Sequence, residues 1–188
     1  MFAWIKQRKN HRRVAEDLYG RIVAQARTPE FYDKLGIEDS LEGRYEMVVA
    51  HLVLVIERLR ADGDMHRELA RTLVERFVTD MDDSMRELGI GDTGVPKKVK
   101  RAAAGLVERT ARYREALAAG PAAIAQAIRT NIEDSEDQDA CGSARDTDHI
   151  FAAYLSASAK SLAGLSLEDM LSEKPLFAPL EVALRSQH

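Results

Sequence analysis

The stretch MVVAHLVLVI, residues 47–56, constrains this chain more than any other feature. It is apolar apart from one His, yet it falls well short of the roughly 20 residues that a bilayer-spanning helix needs. It also sits inside a longer pattern. Leu41, Tyr45, Val48, Leu52, Val55 and Leu59 step alternately by four and three, while Val49, Val53 and Ile56 widen the same side. A helix whose apolar face is that wide has to be covered by other elements, so it belongs at the centre of a bundle. Asp39 or Ser40 stands where its N-cap is needed.

The remaining sequence supplies helices to cover it. A first helix is expected over about 11–27, ending before Thr28-Pro29, because the residue before a proline is pushed out of the helical region. Leu69, Leu73, Phe77, Met81 and Met85 recur every four residues. From about 95 to 118, Val95, Val99, Ala103, Leu106, Thr110, Tyr113 and Leu117 share one side, and Lys97, Lys98, Arg101, Arg109 and Arg112 gather on an adjoining stripe. Gly120-Pro121 ends that helix, and a shorter one runs to about Ile132. Helical spacing returns with Phe151, Leu155, Ala159 and Leu162, followed by short segments at Leu167–Met170 and Leu176–Leu184. No alternating strand pattern occurs. The expectation is an all-α, single-domain multi-helix bundle. Its parts are a basic N-terminal segment and first helix (1–28), a core helical region (29–132), an acidic mobile loop (133–148) and C-terminal helices packing on the same domain (149–188).

Several motifs invite a chemical reading and do not sustain it. Residues 89–94, GIGDTG, fit G-x-G-x-x-G, but a dinucleotide loop requires a buried strand running into the first Gly, and here a helical pattern precedes it. Gly89 instead suits a helix C-terminus, with Asp92 or Thr93 capping the next helix and Pro96 in its first turn. Asp80, Asp82 and Asp83 resemble half of a Mg²⁺-diphosphate site, but no second acidic cluster accompanies them. They read as a solvated face, with Asp83 able to pair with Arg86. Asp137, Asp139, Cys141, Gly142 and Asp148 match positions 1, 3, 5, 6 and 12 of a Ca²⁺ loop, yet Cys is a poor ligand for a hard cation and Asp is too short for the bidentate last position.

His51 lies in the apolar run, where a lone His is more often a hydrogen-bonded core or groove residue than a metal ligand, and His11, His66, His149 and His188 show no ligand spacing. Cys141, the single cysteine, excludes an internal disulfide and sits among acids that raise its pKa. There is no nucleophile elbow and no Walker A sequence. The expectation is therefore no catalytic residue, no metal, no cofactor and no small-molecule substrate. A formal net charge of −4 argues against a DNA-binding protein.

What remains are surfaces. The stripe Lys97, Lys98, Lys100 and Arg101 suits anionic lipid or ribosomal RNA phosphates, as does the basic N-terminus MFAWIKQRKNHRR. Met47, Met65, Met81 and Met85 suit an adaptable apolar groove.

Three segments in order, FYDKLGIEDSLEGRYEMVVAHLVLVIERLR, FVTDMDDSMRELGIGDTGVPKKVKR and GLVERTARYREAL, resemble the ubiquinol-cytochrome c chaperone family, the assembly factors for cytochrome b of the bc1 complex (respiratory complex III). The resemblance spans about 31–117 and rests on motifs in register, among them Phe31-Tyr32, Gly43-Arg44-Tyr45-Glu46-Met47, His51, Arg58-Leu59, Arg86-Glu87 and Gly89. It implies a non-catalytic chaperone that binds newly made cytochrome b as client, near the ribosome or the anionic inner-membrane surface. Eukaryotic members work in mitochondria; the Ala- and Arg-rich composition and the lack of a long transit peptide suit a bacterial version, cytoplasmic or peripheral on the cytoplasmic face of the inner membrane. On that resemblance Phe31, Tyr32, Arg44, Glu46 and His51 are expected to shape the client or partner surface, and Lys97, Lys98, Lys100 and Arg101 to face membrane or ribosome. The alternative is a membrane-surface or RNA/ribosome-binding adaptor without a dedicated client. For Arg44 and Glu46, local pairing that fixes the start of the helix is an equal alternative.

Overall fold

The computed structural model describes residues 2–63, 66–87, 89, 91, 94–133 and 148–185, and for residues 2–10 the backbone. The described residues form helices α1 (Phe2–Ala26), α2 (Pro29–Leu35), α3 (Leu41–Ala61), α4 (Arg67–Glu87), α5 (Val95–Ala119), α6 (Pro121–Glu133), α7 (Asp148–Ala163), α8 (Leu167–Met170) and α9 (Leu180–Arg185), with no strand among them. The chain is an all-α, single-domain bundle.

The centre is α3, as its wide apolar face requires. Met47 through Ile56 are all buried, and α1, α4, α5 and α7 surround the helix. One apolar cluster joins Ala15 of α1, the α3 run, Leu73 and Phe77 of α4, Leu106 and Tyr113 of α5, Tyr154 of α7 and Ala183 of α9. The C-terminal helices thus pack on the same core, and α6 reaches it through Ile124 and Ile128.

Local chemistry sets the helix ends. Ser40 caps α3, its hydroxyl accepting from the Gly43 N–H at 3.1 Å, while Asp39 is engaged by Arg44 at 2.6 Å. Position 43 has to lack a side chain, because a Cβ there would lie 2.0 Å from the Glu38 carbonyl oxygen. At the G-x-G-x-x-G segment helix α4 leads in, and the Gly89 N–H donates to the Arg86 carbonyl at 2.9 Å. With φ of 74°, Gly89 takes the left-handed conformation that lets the chain leave a helix. Gly89, Gly91 and Gly94 thus lie between helices α4 and α5. The N-cap of α5 is Gly94, with Pro96 in the first turn; Asp92 and Thr93 lie outside the described residues.

Three boundaries differ from expectation. Helix α1 starts nine residues earlier than residue 11, at Phe2. Helix α2 was not anticipated: only Phe31 and Leu35 of its seven residues are buried, too few to show a period. Helix α9 starts at Leu180, and Leu176 and Phe177 reach the core from the segment before it. Of the acidic loop, residues 134–147 lie outside the described residues, and with them Asp137, Asp139, Cys141 and Gly142. Asp148 opens α7, is buried, and accepts from Arg129 Nε at 2.8 Å.

Candidate functional site

The expected partner residues do not form one surface. Phe31 and His51 are both fully buried. His51 Nδ1 donates to the Met47 carbonyl at 2.7 Å, since a carbonyl can only accept. Its Nε2 therefore accepts from the Tyr154 hydroxyl at 2.8 Å, whose oxygen accepts in turn from Gln25 at 3.1 Å. The Phe31 ring stands edge-on to His51 at 5.5 Å and to Tyr154 at 5.0 Å, and Phe177 closes over His51 at 4.9 Å. Burial pushes the His51 pKa down to about 4 against a smaller upward pull from the Met47 carbonyl, so the imidazole is neutral. Phe31 and His51 thus bind α1, α2, α3 and α7 together and offer no surface to a partner. Tyr32 is half-buried and donates to the Ala26 carbonyl at 2.9 Å. Arg44 is exposed in its pair with Asp39, which is the local pairing foreseen for it.

Glu46 behaves differently. It reaches across to α5, where Arg109 Nε donates to its Oε1 at 2.6 Å. Arg109 was expected on the basic stripe; it is buried instead, its guanidinium 5.3 Å from the Tyr45 ring centre and also donating to the Asn131 carbonyl at 3.2 Å. Desolvation opposes its charge, but Glu46 outweighs that cost and raises its pKa. The Tyr45 hydroxyl donates to the Ala102 carbonyl at 3.0 Å. This close approach requires Gly105, where a Cβ would meet the Tyr45 oxygen at 2.7 Å. Burial, first among its causes, pushes the Tyr45 phenol up to about 12, so it stays a neutral donor.

These contacts brace the wall of a groove of about 360 Å³. Its lining joins Leu41, Glu42, Tyr45 and Glu46 of α3 to Met81, Ser84 and Met85 of α4, and both to Lys98, Arg101, Ala102, Gly105, Glu108 and Arg109 of α5. Leu41 is 45% exposed, high for a large apolar side chain. Of the methionines proposed for a groove, Met81 and Met85 line this one, Met47 is in the core, and Met65 lies outside the described residues. The basic stripe divides: Lys98 and Arg101 stand at the groove, whereas Lys97 and Lys100 are exposed outside its lining. Glu46, Lys98 and Arg101, expected on two separate surfaces, meet at one. A thioether-lined trough whose walls carry Glu42, Glu46 and Glu108 as well as Lys98, Arg101 and Arg109 can hold a polypeptide segment that is apolar along one side, and adapt to its side chains.

Two members of the acidic triplet are engaged in the fold, and Asp83 is exposed. Asp80 accepts from the Tyr19 hydroxyl at 3.0 Å and lies 3.9 Å from Arg76. Arg86 pairs with Asp82 at 2.7 Å. Among the described residues no group of three His, Cys, Asp or Glu side chains is placed to hold a metal ion.

Sequence reasoning missed Tyr45, Gly105 and Arg109 as builders of the groove. Tyr45 and Glu46 stand in a recognisable motif, but their partners lie 57 and 63 residues away.

The family model described as "Ubiquinol-cytochrome C chaperone" matches residues 33–177. The crystal structure of the Cbp3 homolog from Brucella abortus is similar in fold, with a TM-score of 0.77 and 30% sequence identity over 96% of this chain and 98% of that one. None of the curated proteins matches the chain.

Proposed function

We propose that this chain, which belongs to the ubiquinol-cytochrome C chaperone family, binds newly made cytochrome b and holds an apolar segment of it during assembly of the bc1 complex. The observation that carries this reading is the groove at Leu41, Tyr45, Met81 and Met85, with Lys98 and Arg101 beside it. Apolar surface left open in a groove marks a binding site, and thioether side chains suit a client whose segments vary. Holding a client needs shape and charge rather than bond chemistry, so the role is non-catalytic. Among the described residues no helix is long and apolar enough to cross a membrane.

A second reading has its own support. Lys97 and Lys100 are exposed outside the groove lining, where they suit lipid phosphates or ribosomal RNA independently of any client. Affinity purification of the full chain separates the two. The chaperone retains cytochrome b, and Met81→Asp/Met85→Asp loses it while remaining folded. An adaptor binds anionic vesicles or ribosomal RNA with no cytochrome b attached, whichever side chains line the groove.

A further inference from the structure

The α5 wall of the groove has a direction. Lys98 lies towards one end of it and Glu108 towards the other, and both side chains are exposed. The ten residues between them set the two charges about 15 Å apart along the helix. Neither takes part in an ion pair among the described residues. The other charges of the lining leave this order intact: Arg109 is held by Glu46, and Glu42 balances the charge of Arg101.

The walls are helices, and among the described residues there is no strand whose edge could pair with an extended chain. An extended segment laid on these side chains turns backbone N–H and C=O groups away from water without partners, whereas a helix pairs its own. A helix also presents anchors at i, i+4 and i+7 over about 10 Å, which fits between the two charges. Leu41, Tyr45, Met81 and Met85 then meet its apolar side. A helix is positive at its N-terminal end and negative at its C-terminal end, so Glu108 favours the first and Lys98 the second.

We propose, on the basis of the client reading above, that the groove takes an amphipathic helix of cytochrome b running antiparallel to α5. A basic side chain at the N-terminal end of that helix meets Glu108, and an acidic one at its C-terminal end meets Lys98. This is the reverse of the usual charge bias of helix ends, so it selects among client segments.

The test is carbodiimide coupling of the full chain purified with cytochrome b, with the joined peptides read by mass spectrometry. The reagent condenses a carboxylate with an amine and takes up the water as a urea, joining Glu108 to a client lysine and Lys98 to a client acid. The residue joined to Glu108 is expected to precede the one joined to Lys98 by about ten in the client sequence. The opposite order overturns the direction. A separation of about four or five residues, the extended chain that spans the same distance, overturns the helix. Lys98→Glu/Glu108→Lys keeps the net charge and alters only exposed positions; it is expected to lower capture of cytochrome b about fivefold or more. The same exchange at Lys97 and Glu115, exposed outside the lining, changes capture by less than about twofold. Equal capture by the two variants overturns the assignment, and this comparison decides where no coupling is found. A native chain that retains no cytochrome b is a separate failure, which removes the client reading and this inference with it.

Discussion

Arg109 of α5 donates to Glu46 of α3 at 2.6 Å, with both side chains mostly withdrawn from solvent at 10% and 15% exposure. The pair fixes the wall of the groove and joins two helices whose sequences say nothing of one another. Removing one member of such a pair strands a charge in a poorly solvated place. Arg109→Ala is therefore expected to cost about 3 kcal/mol, read by urea unfolding. Adding Glu46→Gln restores part of the loss, giving a coupling of about 1–3 kcal/mol in the double-mutant cycle. Strict additivity contradicts the pairing.

His51 makes the fold sensitive to acid. Its folded pKa, about 4, lies below the ordinary 6.5, so between those values the unfolded chain takes up a proton that the native core refuses. Stability from this group is intact above pH 6.5 and is lost as pH falls towards 4, by about 3 kcal/mol in all. Unfolding curves across that range are expected to show the loss, and His51→Phe, though less stable at neutral pH, is expected to show a flatter dependence. An unchanged slope in the variant refutes the assignment.

Two glycines are fixed by contact. At Gly43 a methyl group meets backbone, the Glu38 carbonyl oxygen at 2.0 Å, and backbone yields little. Gly43→Ala is expected to destabilise by about 2 kcal/mol. At Gly105 the first obstacle is a side chain, the Tyr45 hydroxyl at 2.7 Å. Gly105→Ala is expected to be milder in thermal unfolding and to act on the groove, lowering client capture by displacing Tyr45.

The sequence carried the fold further than the site. Helices α3, α4 and α5 were legible because their apolar residues recur over about four to six turns, and the turn at Gly89 because a helix runs into it. Helix α2 was not, since seven residues with two buried leave no period to see. At the site, the methionines of α4 and the cations Lys98 and Arg101 were visible as faces of single helices. His51 was legible as a core or groove residue because it lies inside the apolar run, whereas Phe31 was not placeable in the core, because Tyr154, which covers it, lies more than 100 residues further on. Arg109 looked like one more exposed cation until Glu46, Tyr45 and Asn131 were brought around it.

The groove as a place for a client is tested most directly in cells. The gene is deleted in the organism that encodes it, and the strain is complemented with the native chain or with Met81→Asp/Met85→Asp, both checked for folding and equal abundance. The account predicts that deletion removes the cytochrome b absorbance and bc1 activity while other respiratory complexes persist, that the native chain restores them, and that the groove variant does not. Normal cytochrome b in the deletion strain, or full restoration by the variant, contradicts it.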